Sequence, residues 1–359
     1  MVTTLLSLPY ELLELVFEHA VADSTLDHTP SPSALAARSS FLRSLALTCR
    51  SFRYPAQAVL WSSVRLSSPT VTKRLLASPA LGQFGTAQLE LVGVHAGNEG
   101  LSGSTAARVL GKMRGVRWLR LADFGRLSAR VLQGENLAGL RTLHLLTTFP
   151  DKPHTLAALS FPFHLHTLAL YNRTYSPSFL THLLHSRACA ALRSLTLLTG
   201  SSSPSYCALI DALPAVAPTL NHLSLQHRPS PDFVAAVVPR LTSLAHLECH
   251  FAVDLGAVLS SLPSPSSPSS PSSPTLRTLT LELDYNLHDL APLLVSYLSS
   301  PPDTPSVLSA LEEIRIPRAP AQGEFRAFGG GELLDVCEER GVRVKVGQVV
   351  AWRTRSVFD

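Results

Sequence analysis

The chain has 359 residues, of which 45% are hydrophobic and 16% are charged, so it can bury a large core and lacks the composition of a disordered protein. Its formal net charge is only +4, and no dense Lys/Arg block with interleaved aromatic residues occurs, so we expect no nucleic-acid partner. Residues 1–8 lack a basic signal-peptide start, and no uninterrupted apolar run reaches about 18 residues, so we expect no membrane partner and a cytoplasmic or nuclear location.

The first predicted element is an amphipathic helix in residues 7–20, which read SLPYELLELVFEHA. Its apolar side chains recur at the 3.6-residue period of one helical face. They are Leu8, Leu12, Leu13, Val16, Phe17 and Ala20. Ser7 is predicted to cap this helix and Pro9 to lie in its first turn, where a missing N–H costs nothing. Two further helices are predicted over residues 35–47 and 53–60.

The order of these features resembles the F-box, a three-helix module of about this length. The shared features are Leu8-Pro9, the apolar helix that follows, the run Leu47, Cys49, Arg50 and Phe52, and the closing Trp61. In that family the leading Leu-Pro and its helix dock on a Skp-type adaptor, which joins the protein to a cullin scaffold. The resemblance implies an adaptor-binding surface of Leu8, Pro9, Leu12, Leu13, Val16, Phe17, Leu47, Cys49, Arg50 and Phe52. The alternative is a helical cap on one end of a repeat domain.

A short motif of the form apolar-x-x-apolar-x-apolar recurs along the rest of the chain. Clear copies occupy residues 116–121, 140–145, 165–170, 192–197, 220–225, 244–249 and 276–281, and weaker copies occupy residues 86–91, 311–316 and 341–346. Residues 61–66 are a candidate for the first copy. The pattern and its commonest spacing, 24 to 28 residues, resemble leucine-rich repeats.

Within each copy the apolar residues alternate with polar ones, which predicts a strand with one buried face. Leu195 and Leu223 should face inward, and Ser194 and Ser224 should face outward. Between the strands, Ser176-Pro177, Ser230-Pro231 and Asp289 are predicted to begin helices. We therefore expect an α/β protein in which a three-helix F-box module, residues 1–61, precedes an irregular leucine-rich-repeat solenoid, residues 62–359, with a curved parallel sheet and outer helices.

One stretch of low complexity interrupts the repeats. Residues 262–275 read LPSPSSPSSPSSPT, a Pro/Ser tract that is predicted to be a disordered insertion and a solvated spacer. Its four Ser-Pro pairs leave open a role as proline-directed kinase sites. The five cysteines have no paired spacing, which predicts small core residues in a reducing compartment and neither disulfides nor a zinc knuckle. They are Cys49, Cys189, Cys207, Cys249 and Cys337.

The sequence predicts no catalytic site. It contains no Gly-x-Ser-x-Gly, no phosphate-binding glycine loop and no Cys-His pair in a recognisable context, so we expect a protein that is not an enzyme and needs no cofactor. Three histidine pairs are candidates for metal ligands: His164/His166, His182/His185 and His246/His250. No adjacent ligand set completes any of these pairs, which favours surface histidines.

The outward face of the predicted sheet is the candidate binding surface. Its predicted members are Trp118, Arg120, His144, Tyr171, His222, Gln226, His246, Glu248, His250 and Arg315, together with Thr196, Glu282 and Glu313. Aromatic, Arg and His side chains on such a sheet are typical of a surface that holds a partner protein. With the F-box resemblance, this predicts the substrate receptor of an SCF-type ubiquitin ligase. The alternatives are a leucine-rich-repeat scaffold outside the ubiquitin system and, more remotely, a hydrolase with an unrecognised site.

Overall fold

The protein is described by a computed structural model that covers residues 8–21, 32–94, 100–171, 176–198, 204–250, 253–263, 276–282, 287–299, 307–317, 325–326 and 330–346. The α-helices in this part of the chain are α1 Tyr10–Val21, α2 Pro32–Thr48, α3 Arg50–Ser62, α4 Pro69–Ala77, α5 Gly103–Leu110, α6 Pro153–Ala157, α7 Pro177–His185, α8 Pro204–Ala212, α9 Pro231–Ala236, α10 Leu255–Ser261, α11 Leu287–Leu298 and α12 Gly331–Glu339. The strands are β1 Ser63–Leu66, β2 Gln88–Val92, β3 Trp118–Ala122, β4 Thr142–Leu146, β5 Thr167–Leu170, β6 Ser194–Leu197, β7 His222–Leu225, β8 His246–His250, β9 Thr278–Glu282, β10 Glu313–Ile316 and β11 Arg343–Val346.

The eleven strands form one parallel sheet whose order in space is their order in the sequence. Each of the eleven motif copies supplies one strand, so the predicted α/β class with a parallel sheet is confirmed. Parallel neighbours need a crossover connection, and the helices and short 3₁₀ segments between consecutive strands provide it. The linear strand order places β1 and β11 at the two ends of the described sheet.

Two rows of leucines run across the inner face of the sheet. Leu195, for example, lies in register between Leu168 and Leu223, and all three side chains are buried. Helix side chains such as Leu183 and Val258 belong to the same core, so the helices pack on this face. The alternation within the motif therefore predicted correctly which residues face inward.

The helices begin where their capping residues allow. Helix α7 begins at Pro177 and α9 at Pro231, as predicted, and the Ser230 hydroxyl accepts a hydrogen bond from the Phe233 amide at 3.1 Å. The third predicted start is wrong, because Asp289 lies inside α11. No helix-breaking residue separates Leu287 from Asp289, and the helix extends back to Leu287.

The three N-terminal helices are present with shifted boundaries. Pro9 lies just before α1 and not in its first turn, because its carbonyl accepts the amides of Leu12 and Leu13 at 3.1 and 3.0 Å. Helix α3 begins at Arg50 and not at residue 53, since extended Cys49 takes the capping position. The predicted cap Ser7 lies outside the described residues. These helices enclose a small core of their own, formed by Leu13, Phe17, Leu42, Ala56 and Val59.

Helix α3 joins the small helical core to the sheet. It ends at Ser62, and β1 begins at the next residue, Ser63, with no intervening loop. Two aromatic rings of α3 also contact Phe84, which is buried in the segment before β2. The centroid of the Phe84 ring lies 5.2 Å from that of Tyr54 and 6.4 Å from that of Trp61. The N-terminal helices are therefore fixed to the β1 end of the sheet.

Two sequence-based expectations need correction and one falls outside the described residues. Leu262 was assigned to the Pro/Ser insertion, but it follows α10 and is buried against the core. Cys207 was expected in the core but is exposed and Cys49 is half-buried, whereas Cys189, Cys249 and Cys337 are buried. The remaining tract, residues 264–275, is not described. Among the described helices, none has the length and apolar character needed to span a bilayer.

Candidate protein-binding face

The face opposite the helices carries two rows of side chains that cross the strands. The first outward row contains Ser63, Gln88, Trp118, Thr142, Thr167, Ser194, His222, His246, Thr278, Glu313 and Arg343. The second outward row contains Arg65, Glu90, Arg120, His144, Ala169, Thr196, Ser224, Glu248, Thr280, Arg315 and Lys345. We call the surface formed by the two rows the outward face. It brings together most of the predicted binding residues.

At the β1 end of the outward face, one carboxylate lies between two arginines. Glu90 is only 7% exposed, and its oxygens lie 3.4 Å from Arg65 Nε and 3.2 Å from an Arg120 guanidinium nitrogen. A buried charge is costly unless it is paired, and the two guanidinium groups supply the pairing. Arg120 is therefore held in place by Glu90 beneath it, which reduces the entropy that it would lose on binding a partner.

Next to this ion pair, three rings form a continuous group across β3 to β5. The centroid of the His144 ring lies 5.1 Å from that of Trp118 and 5.8 Å from that of Tyr171. Burial, together with the neighbouring Arg120 charge, lowers the pKa of His144 to about 4. Burial also raises the pKa of Tyr171. At neutral pH this group is uncharged and offers aromatic area beside one arginine.

The lowered pKa of His144 predicts an acid-dependent loss of stability. Between about pH 6.5 and pH 4 the unfolded chain binds a proton on this ring while the folded chain does not, so the free energy of unfolding should fall as pH decreases through that window. An NMR titration should place the midpoint of the His144 ring near pH 4. Urea unfolding should show a weaker acid-side loss for His144→Gln than for His185→Gln, an exposed control. A midpoint near 6.5 would contradict the assignment.

The middle of the outward face is lined by small side chains. Ala169 and Ser224 belong to the second outward row, yet each is only 1% exposed. Ser224 was predicted to face outward, and it does. Its side chain is nevertheless buried and does not contact the solvent. Alternation along a strand fixes the side of the sheet, but larger neighbours in adjacent strands decide exposure. Here the aromatic group lies on one side of the small residues, and His222 with Glu248 lies on the other.

A Ser–His–Glu arrangement lies beside these small side chains, and no sequence pattern indicated it. Ser194 Oγ lies 2.9 Å from His222 Nδ1, and His222 Nε2 lies 3.7 Å from a Glu248 carboxylate oxygen. Acyl transfer would also need N–H donors for an oxyanion beside the serine. The amide of Ser194 donates to the His166 carbonyl and that of His222 to the Arg193 carbonyl, so the sheet ladder uses both donors. The arrangement holds the imidazole in a fixed position and does not supply the parts of a nucleophilic site.

At the β11 end of the outward face, cations outnumber the carboxylate that they surround. Glu313 is 4% exposed and bonds to Arg315, and its other oxygen lies 3.4 Å from Arg343 and 3.0 Å from Lys345. Burial alone would raise the pKa of the Glu313 carboxyl. The hydrogen bonds from Arg315 and Lys345 outweigh burial and lower this pKa below its usual value. This end of the face is therefore net positive. Arg315 was predicted to face outward and does so.

The remaining predicted residues of the face are placed as follows. His246 is exposed, Gln226 and His250 are half-buried, and the side chain of Glu282 is outside the described set. Burial and the neighbouring His222 lower the pKa of His246. His182 and His185 do not converge on one point, since their ring nitrogens lie 3.1 and 2.9 Å from the carbonyl oxygens of Leu159 and Thr181 respectively. Within the residues that the structure describes, no group of three His, Cys, Asp or Glu side chains could hold a metal ion.

The predicted adaptor-binding residues divide into three classes by exposure. Leu13 and Phe17 are buried in the small helical core, so they support the surface and do not form it. Leu12, Val16 and Leu47 are 45%, 38% and 87% exposed, and Pro9 and Arg50 are exposed as well. Leu8, Cys49 and Phe52 are half-buried.

Sequence reasoning missed further exposed apolar residues on the same helices. They are Tyr10, Leu15, Phe41 and Tyr54. Leu15 lies three residues after Leu12, and Tyr10 lies three residues before Leu13, so the helical spacing that defines the predicted apolar face was the available signal. We call Tyr10, Leu12, Leu15, Val16, Phe41, Leu47 and Tyr54 together the apolar helical set.

The structure therefore offers two candidate surfaces, the outward face and the apolar helical set. Comparison with known proteins adds no relative, since no family model matches the chain and no curated protein matches it significantly. The two surfaces and the sequence pattern are therefore the features that bear on function.

Proposed function

We propose that this chain is the substrate receptor of an SCF-type ubiquitin ligase, acting in the cytoplasm or nucleus. Helices α1 to α3 serve as an F-box that docks on a Skp-type adaptor and, through it, on a cullin scaffold. The sheet and its helices serve as an irregular leucine-rich-repeat solenoid whose outward face holds a target protein. The receptor brings target lysines close to the conjugating enzyme and raises their effective concentration, with no cofactor and no chemistry by its own side chains.

The observation that carries this proposal is the concentration of exposed apolar side chains on the N-terminal helices. Of the nine exposed large hydrophobic residues in the described part of the chain, seven form the apolar helical set and two, Val71 and Val94, lie elsewhere. Burying a single leucine stabilises a complex by about 1.5 to 3 kcal/mol, so water is an unfavourable environment for such a set. Exposed apolar side chains that are concentrated on one part of a protein are typical of an interaction site.

The outward face supports the second half of the proposal. Trp118, Tyr171 and Arg120 belong to the residue types that dominate binding energy at protein interfaces. Glu90 pairs with Arg120, and His144 lies between Trp118 and Tyr171, so these side chains are held in place. A partly prearranged surface of this kind loses less entropy on binding than a mobile one.

One observation favours the alternative, a leucine-rich-repeat scaffold outside the ubiquitin system whose N-terminal helices are a cap. Tyr54 and Trp61 of α3 contact Phe84, so the helices do shield the β1 end of the sheet. A cap explains those contacts, but it does not explain why Leu12, Leu15 and Leu47 remain exposed on the outer helices.

Co-purification with a recombinant Skp-type adaptor tests the proposal directly. The full chain and the adaptor should elute together from a sizing column as a one-to-one complex. A chain that elutes alone at concentrations well above micromolar would remove the ubiquitin-ligase proposal and leave the scaffold.

A captured target provides a second test, since it should bind through the outward face. Trp118→Ala combined with Arg120→Ala should weaken target binding by about 2 kcal/mol or more, because tryptophan and arginine are typical binding hot spots. Isothermal titration can measure the change, and Arg315→Ala extends the test to the other end of the face. Val71→Ala with Arg74→Ala on α4 is the matched control, since both residues are exposed on the helix side. Equal losses for the two double variants would place the target elsewhere.

A further inference from the structure

A row of basic side chains follows the edge of the sheet at which strands β3 to β6 begin. The row contains Arg117, Arg141, His166 and Arg193, each of which immediately precedes the first residue of its strand. The amide of each residue donates to the carbonyl of the one before it, over 2.8, 2.8 and 2.9 Å. The four residues are therefore in register across neighbouring strands, and all are exposed. We call them the basic edge row.

The basic edge row is separate from the outward face. Side chains alternate along a strand, so Arg117 projects to the opposite side from Trp118 and to the same side as Leu119. Leu119 is buried under the helix layer, whereas Arg117 precedes it and remains exposed at the edge of that layer. A partner on this row would not compete for the aromatic group around His144.

The charge around the basic edge row is unbalanced. Residues 108–193 contain twelve of the thirty Lys and Arg residues but only three of the twenty-six Asp and Glu residues, a net charge of +9, so the rest of the chain, with eighteen cations and twenty-three anions, carries −5. Among the described residues, Arg117, Arg141 and Arg193 form no ion pair. At the equivalent position of later strands, by contrast, Arg277 is paired with Glu312 at 3.6 Å.

Neighbouring groups hold part of this edge in place. An Arg141 guanidinium nitrogen donates to the His164 carbonyl at 3.1 Å, and His164 Nδ1 lies 3.2 Å from the Arg187 carbonyl. His164 and Arg187 are themselves exposed, so they widen the row with a second imidazole and another cation. The guanidinium of Arg141 keeps donors free for a carboxylate, because it has five N–H groups and one of them is used here.

We propose that the basic edge row binds an extended, Asp/Glu-rich segment of a partner protein. Strands lie about 4.8 Å apart, so the three arginines span about 14 Å. In an extended segment, side chains on one side recur about every 6.6 Å, and long arginine side chains can adjust to that spacing. The planar guanidinium forms paired hydrogen bonds with carboxylates, which suits acidic side chains. The proposed binding of an acidic segment to the basic edge row does not depend on whether the N-terminal helices bind an adaptor.

An acidic peptide fits the row better than a nucleic acid does. Single-stranded nucleic acids bind grooves in which aromatic side chains stack on the bases. The rings at the basic edge row are the imidazoles of His166 and the adjoining His164, and the nearby Trp118 faces the other side of the sheet. A row of cations without aromatic side chains for base stacking suits the carboxylates of an acidic peptide better than a single-stranded nucleic acid.

Fluorescence anisotropy with a labelled peptide of alternating Glu and Gly tests the proposal on the full chain. At low salt the peptide should bind, and a peptide of alternating Lys and Gly should not. Arg117→Ala/Arg141→Ala/Arg193→Ala should weaken binding about tenfold, as the loss of three exposed ion pairs of ordinary strength would. The matched control is Arg74→Ala/Arg108→Ala/Arg240→Ala, which removes the same charge from exposed helical positions and should change affinity less than about twofold.

Two further measurements make the result decisive. The charge-reversed protein, with Arg117→Glu, Arg141→Glu and Arg193→Glu, should lose the Glu peptide and gain the Lys peptide. Equal losses in the two alanine triples would mean that overall charge, and not the row, attracts the peptide, and would overturn the proposal. A single-stranded oligonucleotide that binds more tightly than the peptide, and loses affinity in the row variant alone, would overturn it in favour of a nucleic-acid site.

Discussion

Leu195→Asp should lower the free energy of unfolding by about 4 kcal/mol or more, or prevent folding altogether, whereas Thr196→Asp should cost about 1 kcal/mol. The two residues are adjacent in β6, but Leu195 is fully buried between Leu168 and Leu223 while Thr196 lies on the outward face. Asp at position 195 would place a carboxylate among leucine side chains with no cation to pair with it. Asp at position 196 would remain in contact with water.

Urea unfolding followed by circular dichroism measures both changes. A milder variant, Leu195→Ala, keeps the test informative if the aspartate protein does not fold, and it should cost about 2 to 5 kcal/mol. Thr196→Ala is its control. Similar losses at positions 195 and 196 would be incompatible with the register of β6.

Leu12→Asp should weaken the complex with a Skp-type adaptor by about 2 to 4 kcal/mol, a thirtyfold to thousandfold loss, while the protein still unfolds cooperatively near its original temperature. Leu13→Asp, at the next residue of α1, should instead unfold the small helical core. The reason is the contrast in exposure, 45% for Leu12 and 1% for Leu13. Leu8→Ala with Pro9→Ala should weaken adaptor binding in the same direction as Leu12→Asp.

A pull-down and a melting curve, made on the same preparations, separate the two proposed roles of the N-terminal helices. Adaptor binding that survives Leu12→Asp unchanged would remove α1 from the docking surface. A Leu12→Asp protein that melts early as a whole, from a wild type that binds no adaptor, would identify the helices as a cap on the sheet.

The sequence predicted the strands well because each one carries its own local signal. The last two leucines of LRSLTL, Leu195 and Leu197, identify the inner face of β6 without reference to any other strand, and the same holds for the other copies. Helix starts were predicted where Ser-Pro marked them, as at α7 and α9, and missed at α11, where the helix begins without such a mark.

What the sequence did not show depends on contacts between strands. Ser194 and His222 are 28 residues apart, and only the register of β6 with β7 places Oγ beside Nδ1. The burial of Ser224 likewise depends on its neighbours in adjacent strands, so Ser224→Asp should cost more than Thr196→Asp. The basic edge row was hidden for the same reason, since its members are 24 to 27 residues apart in the sequence.

The last described strand, β11, affects whether two copies of the protein can pair through their sheets. Strand β11 pairs with β10 on one side, and no described strand pairs with its other side. Its Val344 and Val346 are half-buried, whereas Ile314 and Ile316 beside them in β10 are fully buried. An open strand edge of this kind is a template for pairing with a second molecule. Arg343 and Lys345 place two positive charges along that edge, and charged side chains on an outer strand hinder such pairing.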